Sequence, residues 1–290
     1  MRAFVLLASA SRALAACSCA YYTLNATNTP NHAIFTESLE TDFTQPNASL
    51  TWDSTPNFGW QAQAYNVTST AARGPYGKTA EISNVVLNPQ GLGLDLWVRS
   101  QPLEGMVPIA EVVTARTDIL YGSFRAGMKT TGVNGTCGAF FFYHDDSQEI
   151  DVEVLSRQQF AGSDDHTVNL VLQSPASESA RFDAAGTLGF TPYGVSFDPT
   201  SAFHEYRYDW LPGRVDMFTD GAWLHSFHDG VPDSPGAVHL IHWSNGDPGW
   251  SGGPPAEDAV LSVSYVKAYF NASGGASACS GDDGAARSLL

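Results

Sequence analysis

Along most of the chain apolar and polar residues alternate in runs of five to ten. Turn residues separate the runs every 8–15 positions, and almost no stretch carries the 3.6-residue period of an amphipathic helix. Period-two alternation puts successive side chains on opposite faces of a strand, so the pattern predicts an all-β sandwich. The expected strands are Leu92–Arg99, Gly122–Lys129, Gly138–His144, Glu149–Leu155, Thr167–Gln173, His204–Trp210, Arg214–Thr219, Ala222–Phe227, His239–Trp243 and Leu261–Phe270. Asp220-Gly221 separates two of these runs by two residues, the strongest short-range hairpin signal; Pro212-Gly213 and Asp229-Gly230 mark further turns. No repeat and no Pro/Ser-rich linker divides the chain, so a single domain over 17–272 is expected. Residues 20–80, rich in Asn, Thr, Pro and Gly, read as long loops, and 273–290 as a flexible tail.

Composition narrows the function. The chain has 290 residues and a net charge of −16, from 14 Lys+Arg against 30 Asp+Glu. So few basic residues make no stripe able to displace counterions from a phosphate backbone, which argues against nucleic acid and against anionic membranes. Aromatic residues are 12% of the chain, and an uncharged polysaccharide suits both that content and the charge. No apolar run approaches the ~20 residues that span a bilayer.

The first sixteen residues read as a secretory signal: Arg2, an apolar Ala3–Ala10, and small residues around Ala13-Leu14-Ala15. Sequons at Asn25, Asn47, Asn66, Asn134 and Asn271 agree with secretion. So do four cysteines, Cys17, Cys19, Cys137 and Cys279, an even number that suggests two disulfides with Cys17 and Cys19 each reaching Cys137 or Cys279. The tail lacks the hydrophobic run of a glycolipid anchor, so a freely secreted, extracellular monomer is expected.

The chemistry concentrates in Gln148-Glu-Ile-Asp-Val-Glu-Val-Leu155. Ile150, Val152 and Val154 point to one face of this strand, and Glu149, Asp151 and Glu153 to the other. Like charges stacked on one strand face are destabilising, so a chain with only 15% charged residues has reason to keep them only for use. Glu149 and Glu153 sit ~13 Å apart at Cα in an extended strand. Side chains leaning together could reach the ~5–5.5 Å of a retaining glycosidase pair. Asp151 between them can separate the two glutamate pKa values.

These residues, with several others in order, resemble the family-16 glycoside hydrolases. Glu-Ile-Asp-Val-Glu is similar to the family's signature; Tyr121–Phe124 through Met128-Lys129 resembles the strand before it, and Gly138–Tyr143 the first arm of the catalytic hairpin. Phe203-His-Glu-Tyr206 with Trp210 and Thr219-Asp-Gly221 resembles a later hairpin, and Trp243–Asp247 with Trp250 the family's tryptophan loop. The resemblance implies a concanavalin A-like jelly roll of two antiparallel sheets with a glycan cleft. It implies Glu149 as nucleophile, Asp151 as assisting acid and Glu153 as acid/base, with no cofactor required and room for a structural calcium on the convex face. Asn169, Gln173, Trp243 and Trp250 are the implied glycan contacts, while Trp210 and Trp223 are expected in the core. Strand alternation puts Arg125 on the face opposite Phe124 and Ala126, so it is expected to reach the cleft, at a position where relatives more often carry Glu. One residue, not two, separates Asp151 from Glu153, which in this family leans toward β-1,4 or mixed-linkage glucan or chitin–glucan transfer. A secreted endo-β-glucanase is therefore expected, with a cell-wall transglycosylase using the same triad as the alternative and a non-catalytic lectin on the same fold as the rival.

Overall fold

A computed structural model of the chain describes residues 21–23, 33–45, 59–88, 90, 92–159, 166–181, 183–274 and 287–289. Two large sheets face each other across one core. The first runs, in spatial order, Phe190–Val195, His166–Gln173, Gln148–Leu155, Cys137–Asp145, Ala237–Trp243, Met106–Thr114, Gly77–Ala80 and Tyr65–Val67, with Trp60–Ala62 also on Met106–Thr114. The second runs Ala222–Phe227, Arg214–Thr219, His204–Leu211, Ile119–Lys129, Ala259–Ala272, Leu94–Val98 and Val85–Leu87, with Glu37–Asp42 also on Ala259–Ala272. Within the two sheets every ladder is antiparallel except Gly77–Ala80 against Met106–Thr114. This is the expected jelly-roll sandwich, and all ten expected strands are present.

The core forms where the inward residues of the two sheets meet. Ile150, Val152 and Val154 are buried with Phe140, Phe142, Val168, Leu170 and Leu240 of their own sheet, against Phe124, Tyr208, Trp210, Met217 and Leu261 of the other. Aromatic rings bridge the layers: Phe142 lies 4.2 Å from Trp210 between centroids, and Phe140 lies 5.1 Å from Tyr208. Burying the apolar half of each strand at roughly 25 cal/mol per Å² is what fixes the other half, acids included, on the opposite face. The Asp220-Gly221 hairpin is built as expected. Both residues take positive φ, 47° and 77°, the pair of left-handed conformations a type I′ turn demands.

Some expectations fail for physical reasons. Residues 20–80 are not simply loops, because Glu37–Asp42, Trp60–Ala62, Tyr65–Val67 and Gly77–Ala80 pair with the sheets. These strands are short or rich in polar residues, so their alternation is faint. In the expected tail the backbone of Arg287–Leu289 pairs with Tyr21–Thr23. Trp210 is core, but Trp223 is 41% exposed on an edge strand whose register slips beside it. Arg125 sits between Phe124 and Ala126, both core-facing, on a strand of the second sheet. Its side chain therefore faces away from the first sheet, beside Arg207 and Lys267 on the flanking strands, and it does not line the cavity that holds the acids. Among the described residues no group of three or more His, Cys, Asp or Glu is arranged to hold a metal ion.

Candidate active site

The outward face of the first sheet carries the acids. Glu149, Asp151 and Glu153 line a cavity of about 430 Å³ whose floor includes Phe141, Ile241 and Trp243. Across the ladder Asp151 lies between Phe141 and Val171, and Glu153 between Ala139 and Asn169. The acids thus stand among mostly apolar neighbours, with Asn169 the polar one.

That setting controls their ionisation. Burial, more than anything else, raises Glu149 from 4.5 to about 7, and the charges of Glu153 and Asp146 add to it; a hydrogen bond with Asp151 and the nearby Lys78 pull the other way. Burial also lifts Asp151 well above the ordinary aspartate range, helped by the two flanking glutamates. Asp151 is therefore the carboxyl that keeps its proton and donates it to Glu149. Glu153 rises to about 7 through burial, opposed by hydrogen bonds from Cys137 and Trp250 and by Lys78. Both glutamates are thus poised to exchange a proton near neutral pH, while Asp151 between them is held protonated, as acid–base work requires.

Lys78 is the one lysine that lines this cavity. It comes from the strand Gly77–Ala80, and its Nζ lies 4.6 Å from the centroid of the Trp243 ring, a cation–π distance. Burial pulls its pKa down, while Glu111 and Glu149 push it back up. Gly77 beside it has no room for a side chain: a Cβ there would come within 2.4 Å of the Val67 carbonyl oxygen. Next along the same face, Glu111 accepts from the Tyr65 hydroxyl and lies 2.7 Å from Nδ1 of His239, whose ring stacks on Phe141.

The loop after Trp243 closes one side. Asn245 Nδ2 donates to the Ala72 carbonyl at 2.7 Å, and the Tyr76 N–H donates to the Asn245 carbonyl at 2.9 Å. Arg157, just past the acid strand, donates from Nε to the Trp250 carbonyl at 2.6 Å and from Nη2 to the Gly249 carbonyl at 2.5 Å. The brace holds the indole of Trp250 where it reaches Glu153.

The structure brings together Glu149, Asp151, Glu153, Gln173, Trp243 and Trp250 around the cavity. Asn169 is on the expected strand face but only 1% exposed, and its amide donates to Gln158 Oε1 at 2.7 Å. It lies beneath Glu153 and does not line the cleft. Cys137 is a free, buried thiol and no disulfide half; it donates to Glu153 Oε1 at 3.3 Å. Cys17, Cys19 and Cys279 lie outside the described residues, as do the signal segment and the sequons at Asn25 and Asn47. Lys78, Arg157 and Cys137 were not singled out as parts of the site from sequence. Lys78 lies on a short strand with no motif, and only the strand order brings it to the acids; Cys137 and Arg157 flank the hairpin motif and the acid strand without belonging to either pattern.

Comparison with known proteins places this geometry. The model for glycosyl hydrolases family 16 matches residues 94–260. A β-glucanase from Paenibacillus polymyxa is 27% identical over 139 residues, 46% of this chain and 52% of that protein. Crh-like protein 2 from Botryotinia fuckeliana is 28% identical over 167 residues, 51% of this chain and 34% of that protein. The chain spans about half the length or less of these curated relatives. Among solved structures, a Bacillus licheniformis β-glucanase superposes with a TM-score of 0.60 at 19% identity, over 80% of this chain and 97% of that one. The apo Crh5 transglycosylase superposes at 0.56 and 19% identity, over 80% and 84%. These two likenesses establish the shared fold. Because the family match runs from the strand at Leu94 through the acid strand and the tryptophan loop, over more than half of its length, the chain belongs to glycosyl hydrolase family 16.

Proposed function

We propose that this protein cleaves β-glucan by double displacement, keeping the anomeric configuration. The observation that supports it most is the set of three carboxyls on one strand face in the cleft, with Asp151 bonded to Glu149 and Glu153 held by separate donors. In the first step Glu149, as the carboxylate, attacks the anomeric carbon. Glu153 gives its proton to the glycosidic oxygen, whose bond to that carbon breaks. Asp151, protonated, steadies the negative charge on Glu149 and then the ester carbonyl that replaces it. In the second step Glu153 removes a proton from water as its oxygen attacks the same carbon, and Glu149 leaves as a carboxylate. Trp243 offers an aromatic face for a sugar ring.

A transglycosylase uses the same residues with a sugar hydroxyl in place of water; the likeness to Crh-like protein 2 favours keeping this second reading. Secretion fits the signal-like residues 1–16 and the exposed sequon asparagines Asn66 and Asn134. The test incubates the protein with barley mixed-linkage glucan, laminarin, xyloglucan and chitin oligomers beside a Glu149→Gln variant. Shorter products that the variant does not make support the hydrolase, and products longer than the donor support transfer. Binding without turnover by the unaltered protein on all four refutes both and leaves a lectin.

A further inference from the structure

Cys137 opens the strand next to the acid strand, opposite Leu155 on one side and Trp243 on the other. Its side chain shares a sheet face with Ala139 and Phe141, beneath the cleft. It is fully buried, and Sγ lies 3.3 Å from Oε1 of Glu153. Burial and the neighbouring carboxyls push the thiol pKa well up, so sulfur keeps its hydrogen and acts as the donor. We propose that Cys137 is a positioning residue for Glu153, a weak hydrogen-bond donor that orients the carboxyl without fixing its charge. The inference rests on the reading of Glu153 as the acid/base.

The reasoning turns on what an acid/base carboxyl needs. Glu153 must be protonated to assist departure and ionised to activate the acceptor, and must return to one orientation between the two. A strong donor, such as a hydroxyl or ammonium in contact, would favour the ionised state and oppose the first step. A group without a hydrogen would leave Oε1 without this partner in a buried place. The S–H group, a weak donor, lies between these. The other charged or titratable groups lining the cavity with Glu153 are Asp151 and Glu149 on its own strand, Lys78 from Gly77–Ala80, Arg73, Arg181, Asp183, and Asp247 of the tryptophan loop; Trp250 bonds its carboxyl, and Asn169 on the flanking strand donates to its backbone carbonyl.

The test is a donor series, Cys137→Val, the unaltered protein and Cys137→Ser, with Cys137→Ala beside them in case valine overpacks. The rate kcat is followed against pH on the best of the four glycans. The descending limb at high pH, where Glu153 loses its proton, should move in the order of donor strength: serine lowest, cysteine intermediate, valine and alanine highest. Each step should be about half a pH unit. A structural role alone would change the plateau or the melting temperature and leave the limb in place. One readout needs no turnover: the infrared S–H stretch should shift when Glu153→Gln is introduced, since an amide accepts more weakly than a carboxylate. Limbs that coincide across the series, or an S–H band indifferent to Glu153→Gln, overturn the proposal. If Glu153→Gln keeps full turnover of the glycan, the acid/base reading itself has failed; if that variant is inactive while the limbs coincide, only the role of Cys137 has.

Discussion

Replacing Glu153 by glutamine should make the protein more stable at pH 8 and leave it nearly unchanged at pH 4. Glu153 titrates near 7 in the folded chain against an ordinary 4.5, because burial penalises its charge. Between those values the folded state holds a proton that the unfolded state has released. Stability therefore falls as pH rises through this window and is fully lowered above it. A shift of this size, at 1.36 kcal/mol per unit, amounts to about 3 kcal/mol. Glu153 is only partly exposed and shares its field with two other carboxyls, so about 2 kcal/mol is the working expectation. Glutamine imitates the protonated carboxyl in shape and can still accept from Cys137 and Trp250, so little else changes. Urea unfolding of both proteins at pH 4 and pH 8, followed by tryptophan fluorescence, gives the two differences from the midpoints at constant m. Equal differences at the two pH values, or a variant weaker than the parent at pH 8, would refute the claim that an ionised Glu153 is a strained guest in this cleft.

Other outcomes follow from the same geometry. Lys78 lowers the pKa of both glutamates, so Lys78→Met should move the acidic limb of kcat/KM to higher pH, read from a pH–rate profile. Arg157→Met removes two donors to the Trp250 loop and should cut kcat/KM roughly tenfold to a hundredfold by displacing the indole, with an unchanged far-ultraviolet spectrum. Phe142→Ala, which opens a cavity against Trp210 in the buried core, should cost about 3–5 kcal/mol in urea unfolding.

Much of this was legible in the sequence because a strand writes its two faces in alternating letters. Ile150, Val152 and Val154 announced the core, and the acids between them announced the cleft. The same alternation located Arg125 on the face opposite Phe124 correctly, yet could not tell which of two stacked sheets the strand would join. In the second sheet that face looks outward, away from the cavity that holds the acids. Asn169 shows a finer limit. Its face was right, but Gln158, eleven residues earlier, lies close enough to take its amide. Cys137 and Lys78 were hidden for another reason. Strands 137–145 and 77–80 are not neighbours, and the ladders through 237–243 and 106–114 that put both on one floor are set by sheet order. Trp223 was misplaced because an edge strand offers a large ring no second layer to cover it.

The acid strand places the whole proton-handling apparatus within five consecutive residues, on backbone pinned by ladders on both sides. Other residues around the cavity come from separate segments, among them Ala71–Arg73, Arg181, Asp183–Ala185, Asn245, Asp247 and Trp250. The carboxyls and much of the surrounding wall are therefore carried by different stretches of the chain. A change in one of those segments would reshape the cavity wall while the spacing of the carboxyls stays as the pleat sets it. For an engineer this makes the peripheral segments the place to graft diversity and the eight residues 148–155 the place to leave untouched.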